Sequence, residues 1–232
     1  FDIVTNFAAQ QWATDLALPI LDQIHAKKVF VPTGFSGLYY PEYKDYFIKM
    51  KRWMRQYDMN IFLSNGYRDI NFAKKNGVKK RILIPNGASE EEFLSSGHPD
   101  IRKKLGIPIY DFFILLVGSH TGSKGHKEAI EIFRKAKITN VTFLIVAHST
   151  WTKCFRQCFL TKFIFNASPQ RLIDKKQLII TSLPRQETLS AYKQANLFLF
   201  PSNIECSPIV LFEAMASKTP FITTDVGNAK EI

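Results

Sequence analysis

Short apolar runs alternate with longer amphipathic stretches along most of the chain. The runs at 1–4, 28–31, 60–64, 81–84, 111–117, 141–146, 177–181, 196–200 and 221–224 have the length and the β-branched and aromatic content of strands. Helical spacing predicts helices at 14–24, 43–57, 66–75, 127–136, 151–165 and 187–194, with a further one starting at Pro208. In the first of these Leu16, Leu18, Ile20, Leu21 and Ile24 gather mainly on one side, and in the second Phe47, Met50, Trp53 and Met54 form the inner face. The run Asp111-Phe-Phe-Ile-Leu-Leu-Val117 stays apolar after its first residue, as a parallel strand covered on both faces does. Strand and helix alternate in both halves, so the pattern predicts an α/β chain of two Rossmann-like domains, each a parallel sheet flanked by helices. The expected division is 1–94 for the first domain, 95–110 for a linker region opening on the polar stretch 95–99, and 111–232 for the second. The chain opens in mid-strand without a methionine and stops at Glu231-Ile232 as a helix begins. Both ends therefore read as cut, the first domain as partial and the second as truncated.

The loops that follow the strands carry the candidate chemistry. After the run 196–200 comes Ser202-Asn-Ile-Glu205-Cys206-Ser207-Pro208, in which Ser207 suits an N-cap and Pro208 the first helical position. The helix beyond reads as buried nearly all round, yet it holds Glu213 with no cation three or four residues away. Such a carboxylate needs distant donors, either ligand hydroxyls or a Lys or Arg from elsewhere in the fold. A surface glutamate, or one capping a neighbouring loop, is the plainer explanation. The run 111–117 leads into Gly118-Ser119-His120-Thr-Gly122-Ser-Lys124-Gly125-His126, a strand, glycine-rich turn and helix of the kind whose amides cradle phosphates. It is not a P-loop, because Gly125 follows Lys124, and it lacks the G-x-G-x-x-G spacing of a dinucleotide fold. Taken alone, a lysine at position 124 is more often just a turn lysine. Two more strand-end loops, Pro32-Thr33-Gly34-Phe35-Ser36-Gly37 and Leu183-Pro184-Arg185, would face a ligand crevice in a parallel sheet. Cys154 and Cys158 lie four apart on a predicted helix with no nearby His or Cys to complete a zinc set, so helix packing is the expectation there. The stretch 151–165 alternates bulky apolar groups with Lys153, Arg156 and Lys162, which suits a helix over the sheet or one lying on a membrane surface.

Seven residues separate Glu205 from Glu213, and the segment continues Ala-Met-Ala-Ser-Lys-Thr-Pro-Phe-Ile-Thr-Thr-Asp-Val-Gly227. This resembles the E-x7-E signature of retaining GT-B glycosyltransferases of family 4, the glycosyl transferases group 1. The resemblance takes in Lys124-Gly125 and the turn Pro85-Asn86-Gly87 followed by Glu90-Glu-Glu-Phe93, and it is strongest from Asp111 onward. It implies a metal-independent hexosyltransferase that needs no cofactor beyond its nucleotide-sugar donor. By the same resemblance, Glu205 and the backbone of Ser207, Pro208, Ile209 and Val210 lie at the sugar and diphosphate, and Glu213 holds the ribose. Gly118, Ser119 and Lys124 lie at the diphosphate and Pro184 near the base, while Thr33 and Gly34 are acceptor-side candidates. Glu205 and Lys124 are the catalytic candidates, Lys124 with helix-terminal amides stabilising the leaving diphosphate and Glu205 holding the sugar. There are two departures. Ser119 stands where the family has an arginine, leaving His120, His126 or Arg185 to supply a second cation. Thr33-Gly34 stands where a His-Gly pair is common.

A formal charge of +11 suits anionic partners, whether nucleotide phosphates, a phospholipid surface or nucleic acid, and is also met by a basic solvated surface. No recognition-helix or aromatic-sheet motif supports nucleic acid. Three cysteines form no paired framework and suit a reducing, cytoplasmic compartment. No apolar run approaches the roughly 20 residues that span a bilayer, and no signal peptide is visible. The expectation is sugar transfer to a glycan or lipid-linked acceptor in polysaccharide or glycolipid synthesis, with peripheral membrane contact within reach of the basic charge. A GT-B-like sugar-nucleotide epimerase would instead turn over donor without acceptor. A non-catalytic GT-like binding protein is favoured by Ser119 and Thr33 and opposed by Glu205 and Glu213.

Overall fold

The computed structural model describes residues 1–95, 97–148 and 152–232. The chain forms two compact units, one of residues 1–86, 204–208 and 225–232, the other of residues 87–203 and 209–224.

The first unit carries strands β1 (Ile3–Phe7), β2 (Lys27–Val31), β3 (Met59–Phe62) and β4 (Arg81–Leu83), all parallel and in the order β1-β2-β3-β4. Its helices are α1 (Trp12–Ala17), α2 (Lys44–Gln56) and α3 (Arg68–Lys75). The single helix expected over 14–24 is broken, because Pro19 has no amide to donate, and the segment goes on as a 3-10 helix at Leu18–Gln23. Helix α2 keeps its predicted inner face. Phe47, Met50 and Met54 are buried and join Phe30, Phe35, Tyr57, Phe62 and Ile70 in one core, with Trp53 packed against its edge. The buried Tyr57 hydroxyl donates to Asn6 Oδ1 at 2.8 Å, so the core contains no stranded phenol.

The second unit contains α4 (Glu90–Leu94), α5 (Ile101–Leu105), β5 (Phe112–Val117), α6 (His126–Lys135), β6 (Val141–Val146), α7 (Lys153–Asn166), α8 (Pro169–Asp174), β7 (Lys176–Thr181), α9 (Arg185–Gln194), β8 (Leu197–Phe200), α10 (Ile209–Ala216) and β9 (Phe221–Thr223). The strands are all parallel in the order β7-β6-β5-β8-β9. Every residue of β6 and the centre of β5 are buried, as their unbroken apolar runs require. The sheet grows from β5 through β6 to β7 on one side and then restarts at β8 on the other. The order therefore reverses between β5 and β8, which places a topological switch at their carboxyl ends.

Helices α4, α5 and α8 lie where no helix is predicted, since five or six residues are too few for a helical period to show. Helix α5 lies within 95–110. Its cap is local, with the Asp100 carboxylate accepting from the Lys103 amide and Gly106 ending it in the left-handed region. Residue Trp151, which opens the predicted helix 151–165, and Ser96 of the predicted polar stretch lie outside the described residues. Helix α7 itself is capped by Thr152, whose hydroxyl accepts from the Phe155 amide at 3.2 Å.

Candidate functional site

At the switch point of the second unit, β5 ends in the turn from Gly118 to Gly125 and β8 ends in Pro201-Ser202-Asn203. The two loops are sewn together. The Asn203 amide donates to Ser123 O at 2.8 Å and the Ser202 hydroxyl to the same oxygen at 3.0 Å. Gly125 has φ +70°, and a Cβ placed on it would lie 1.8 Å from the Pro201 carbonyl oxygen, so only glycine lets the turn close against β8. Gly125 also precedes the first residue of α6 and gives no side-chain cap to the first-turn amides of that helix. The side-chain stem of Lys124 folds over Gly118, 3.5 Å from where a Cβ there would sit. Ser119 is exposed and Lys124 half-buried. Pro184 is exposed at the start of α9, beyond the carboxyl end of β7 and so on the same edge of the sheet.

Glu213 is 5 % exposed, and its missing cation comes from α9. Arg185 donates through Nη1 to Glu213 Oε1 and through Nη2 to Glu92 Oε2, the latter at 2.6 Å. The hydrogen bonds to Glu92 and then Glu213 raise the Arg185 pKa despite its partial burial, and Arg185 in turn holds the Glu92 carboxyl below the usual carboxylate range. The buried Tyr192 hydroxyl next to this cluster is pushed well above the ordinary phenol range by desolvation. Helix α10 is less enclosed than its sequence suggests. Leu211, Glu213 and Ala214 are buried, but Ile209 and Met215 are largely exposed, so the burial is a stripe and not a full sheath.

The other candidate residues belong to the first unit. Thr33 (φ +57°), Gly34 (φ +112°) and Phe35 (φ +48°) form a left-handed turn after β2. A Cβ on Gly34 would stand 2.7 Å from Cys206 Cβ and 2.8 Å from the Tyr67 ring. Buried Asp69 lies at the start of α3. Desolvation pushes its carboxyl up to about 6, while nearby amides, Ile70 at 2.9 Å foremost, pull the other way. Glu205 is half-buried and Ser207 buried. The expected N-cap at Ser207 is displaced, because the helix begins at Ile209 and the Ser207 hydroxyl accepts instead from Asn228 Nδ2 at 3.1 Å. The Ser207 carbonyl accepts from Asn86 Nδ2 at 2.7 Å, which gives the Pro85-Asn86-Gly87 turn a structural task. Pro208 is buried beside Ser207, while Ile209 and Val210 open α10 in the second unit.

Three expectations change here. His120 and His126 do not replace the missing arginine as cations, since both are buried and desolvation lowers their pKa, that of His126 to about 4. Arg185 is already paired with two carboxylates. Cys154 does have histidine neighbours, His120 and His126, which are remote in sequence. Sequence reasoning missed Glu92, Asp69 and Glu231. The Glu231 carboxylate accepts from the Ser64 hydroxyl at 2.7 Å and the Asn65 amide at 2.8 Å at the end of β3, and nothing local in sequence signals that role.

Two parallel α/β units, the second with its switch-point loops bound to each other, are the architecture of GT-B glycosyltransferases. The glycosyl transferases group 1 family matches residues 98–232, and the chain belongs to that family. It is 24 % identical over 236 residues to "Putative teichuronic acid biosynthesis glycosyltransferase TuaC" of Bacillus subtilis (strain 168), covering all of this chain and 53 % of that protein. Among solved structures it is similar to sucrose-phosphate synthase from Thermosynechococcus elongatus, with TM-score 0.76, 18 % identity and coverage of 98 % of this chain and 57 % of the other. It is likewise similar to Anabaena Alr3699/HepE in complex with UDP, with TM-score 0.76, 16 % identity and coverage of 100 % and 62 %. The catalytic domain of starch synthase IV from Arabidopsis thaliana, bound to ADP and acarbose, aligns with TM-score 0.72, 16 % identity and coverage of 99 % and 58 %. The chain thus spans just over half the length of the proteins it matches.

Proposed function

We propose that the protein is a retaining, metal-independent hexosyltransferase that moves a sugar from a nucleotide-diphosphate sugar to an acceptor hydroxyl in polysaccharide or glycolipid synthesis at the cytoplasmic side of a membrane. The observation that carries this reading is the switch point, where the turn bearing Lys124 is closed against the β8 loop and the first-turn amides of α6 have no side-chain cap. Phosphate oxygens accept from such amides, and Lys124 adds a fixed positive charge where the leaving diphosphate develops negative charge. Glu213, turned by Arg185, accepts from ribose hydroxyls, and Glu205 and the backbone from Ser207 to Val210 serve the sugar and diphosphate. Thr33 and Gly34 lie on the acceptor side. The Bacillus relative's name, with its teichuronic acid biosynthesis, supports a polysaccharide product.

The test is calorimetric titration with UDP, GDP, ADP and dTDP, repeated on Glu213→Gln. One nucleotide should bind, and the variant should weaken it by about 1.5 kcal/mol, the worth of a charge-assisted hydrogen bond. Silence with all four overturns the donor site. With donor and acceptor in hand, a product of inverted anomeric configuration overturns retention.

We propose further that α7 touches an anionic bilayer. Among the described residues no helix is long and apolar enough to cross a membrane. Yet α7 leaves Phe159, Leu160, Phe163 and Ile164 largely in solvent, Phe163 at 69 %, on a helix that also carries Lys153, Arg156 and Lys162. Vesicles with anionic lipid should retain the protein at low salt and lose it for Phe163→Ser; equal retention by neutral vesicles overturns the contact.

A further inference from the structure

We propose that His120, His126 and Cys154 form a zinc site that ties the glycine-rich turn to helix α7. Cys154 Sγ lies 3.6 Å from His120 Nδ1 and 4.0 Å from His126 Nδ1, and one ligand atom from each of the three residues falls within 4.8 Å of the others. Usual Zn–S and Zn–N bond lengths at a tetrahedral angle set S···N separations of about 3.6 Å and an N···N separation of about 3.4 Å. The sulfur distances are close to the first, and the two ring nitrogens, within 4.8 Å of each other, must draw together to reach the second.

The hydrogen bonding already selects the ligand form. His126 Nε2 lies 3.1 Å from the Gly118 carbonyl oxygen, which can only accept, so the ring proton is on Nε2 and the Nδ1 lone pair faces the sulfur. Metal-bound histidines are oriented in the same way, by a backbone carbonyl at the far nitrogen. His120 is 1 % exposed and stacks on His126 with ring centroids 4.4 Å apart, and its Nε2 has no hydrogen-bond partner among the described residues. With the His120 proton on Nε2 the one thiol proton serves a single Nδ1, and with it on Nδ1 the His120 ring donates to the sulfur. A cation instead takes the lone pairs of both Nδ1 atoms and of the thiolate together.

The site also has a place in the fold and a way in. The Thr152 hydroxyl donates to the His120 carbonyl at 2.8 Å, so the turn and the start of α7 are already in register. A cavity of about 550 Å³ between α6 and α7, lined by Ile130, Cys154, Gln157, Cys158 and Phe165 among others, borders Cys154. Cys158, buried one turn further along α7, is not among the three residues whose ligand atoms converge. On binding, Cys154 loses its proton to solvent, and the thiolate, two neutral imidazoles and a water complete four-coordination.

The experiment uses the purified chain stripped with chelator and titrated first with Co2+ and then with Zn2+ against a chromophoric chelator. A thiolate-to-cobalt charge-transfer band should saturate at one equivalent and be bleached by one equivalent of Zn2+. Cys154→Ser should abolish the band, His120→Ala should weaken Zn2+ binding roughly tenfold or more, and Cys206→Ser should change neither. The absence of a band in the unaltered chain overturns the site, whatever the variants do, and so does a band that survives in Cys154→Ser.

Discussion

Two buried carboxylates, one in each unit, hold their charge out of water by different means. Glu213 in the second unit meets a guanidinium, which also reaches Glu92. Asp69 in the first unit has no ion pair among the described residues, and its Oδ2 is buried without a hydrogen-bond partner. Burial therefore drives the Asp69 carboxyl up to about 6, half-way to neutrality at mildly acid pH. The difference teaches that one fold can bury an acid in two ways, with a remote cation beside it or with backbone amides alone. On the proposed function the ribose contact needs a carboxylate held in place, and Arg185 is the partner that holds Glu213. The turn after β2 needs an acceptor near its amides, and a partly protonated acid serves.

The sharpest way to break the contrast is to turn Glu213 into a second Asp69. Arg185→Leu strands a buried carboxylate, and urea denaturation should show a loss of about 3 kcal/mol, at the low end for broken buried pairs because Arg185 is half exposed. Combining it with Glu213→Gln should recover much of that loss, and a double variant no better than Arg185→Leu alone would mean that the pair is not what Arg185 contributes.

The converse change relieves Asp69. Its folded pKa lies above the unfolded value near 3.9, so its contribution is fully present below about pH 3.9 and is lost as pH rises through about 6. Asp69→Asn should thus gain about 2 kcal/mol at pH 7 over the parent and flatten the stability profile between those limits. An unchanged slope from pH 4 to 6 would show that Asp69 is not the titrating group. The smallest effect is expected for Glu92→Gln. Its carboxylate is on the open side of Arg185, so the urea midpoint should hardly move, while the nucleotide affinity should shift less than for Glu213→Gln.

Much of this was legible before any coordinates. Strand β6 covers the same residues as its apolar run, β2, β5, β7, β8 and β9 differ from theirs by one residue and β3 by three; the fit is best where the strand is buried on both faces, which needs unbroken apolar sequence. The glycine-rich turn and its helix stood out by composition, and the lack of a cation within four residues of Glu213 signalled that a buried carboxylate there would need distant donors, either ligand hydroxyls or a remote cation. The identity of that cation was not legible, since Arg185 lies 28 residues away and only the packing of α9 brings it to α10. The thiol and imidazole cluster was hidden for the same reason, as 34 residues separate Cys154 from His120.

By itself, then, the sequence determined what can be encoded over a few residues: most strands and the longer helices, the glycine-rich turn after β5, and the spacing of Glu205 and Glu213 that marks the family. The tertiary structure decided which charges meet. Parallel strands are joined through crossovers, so neighbours in the sheet come from distant stretches of chain, and Glu213 meets Arg185, and Cys154 meets His120 and His126, only once the helices pack over the second unit's sheet.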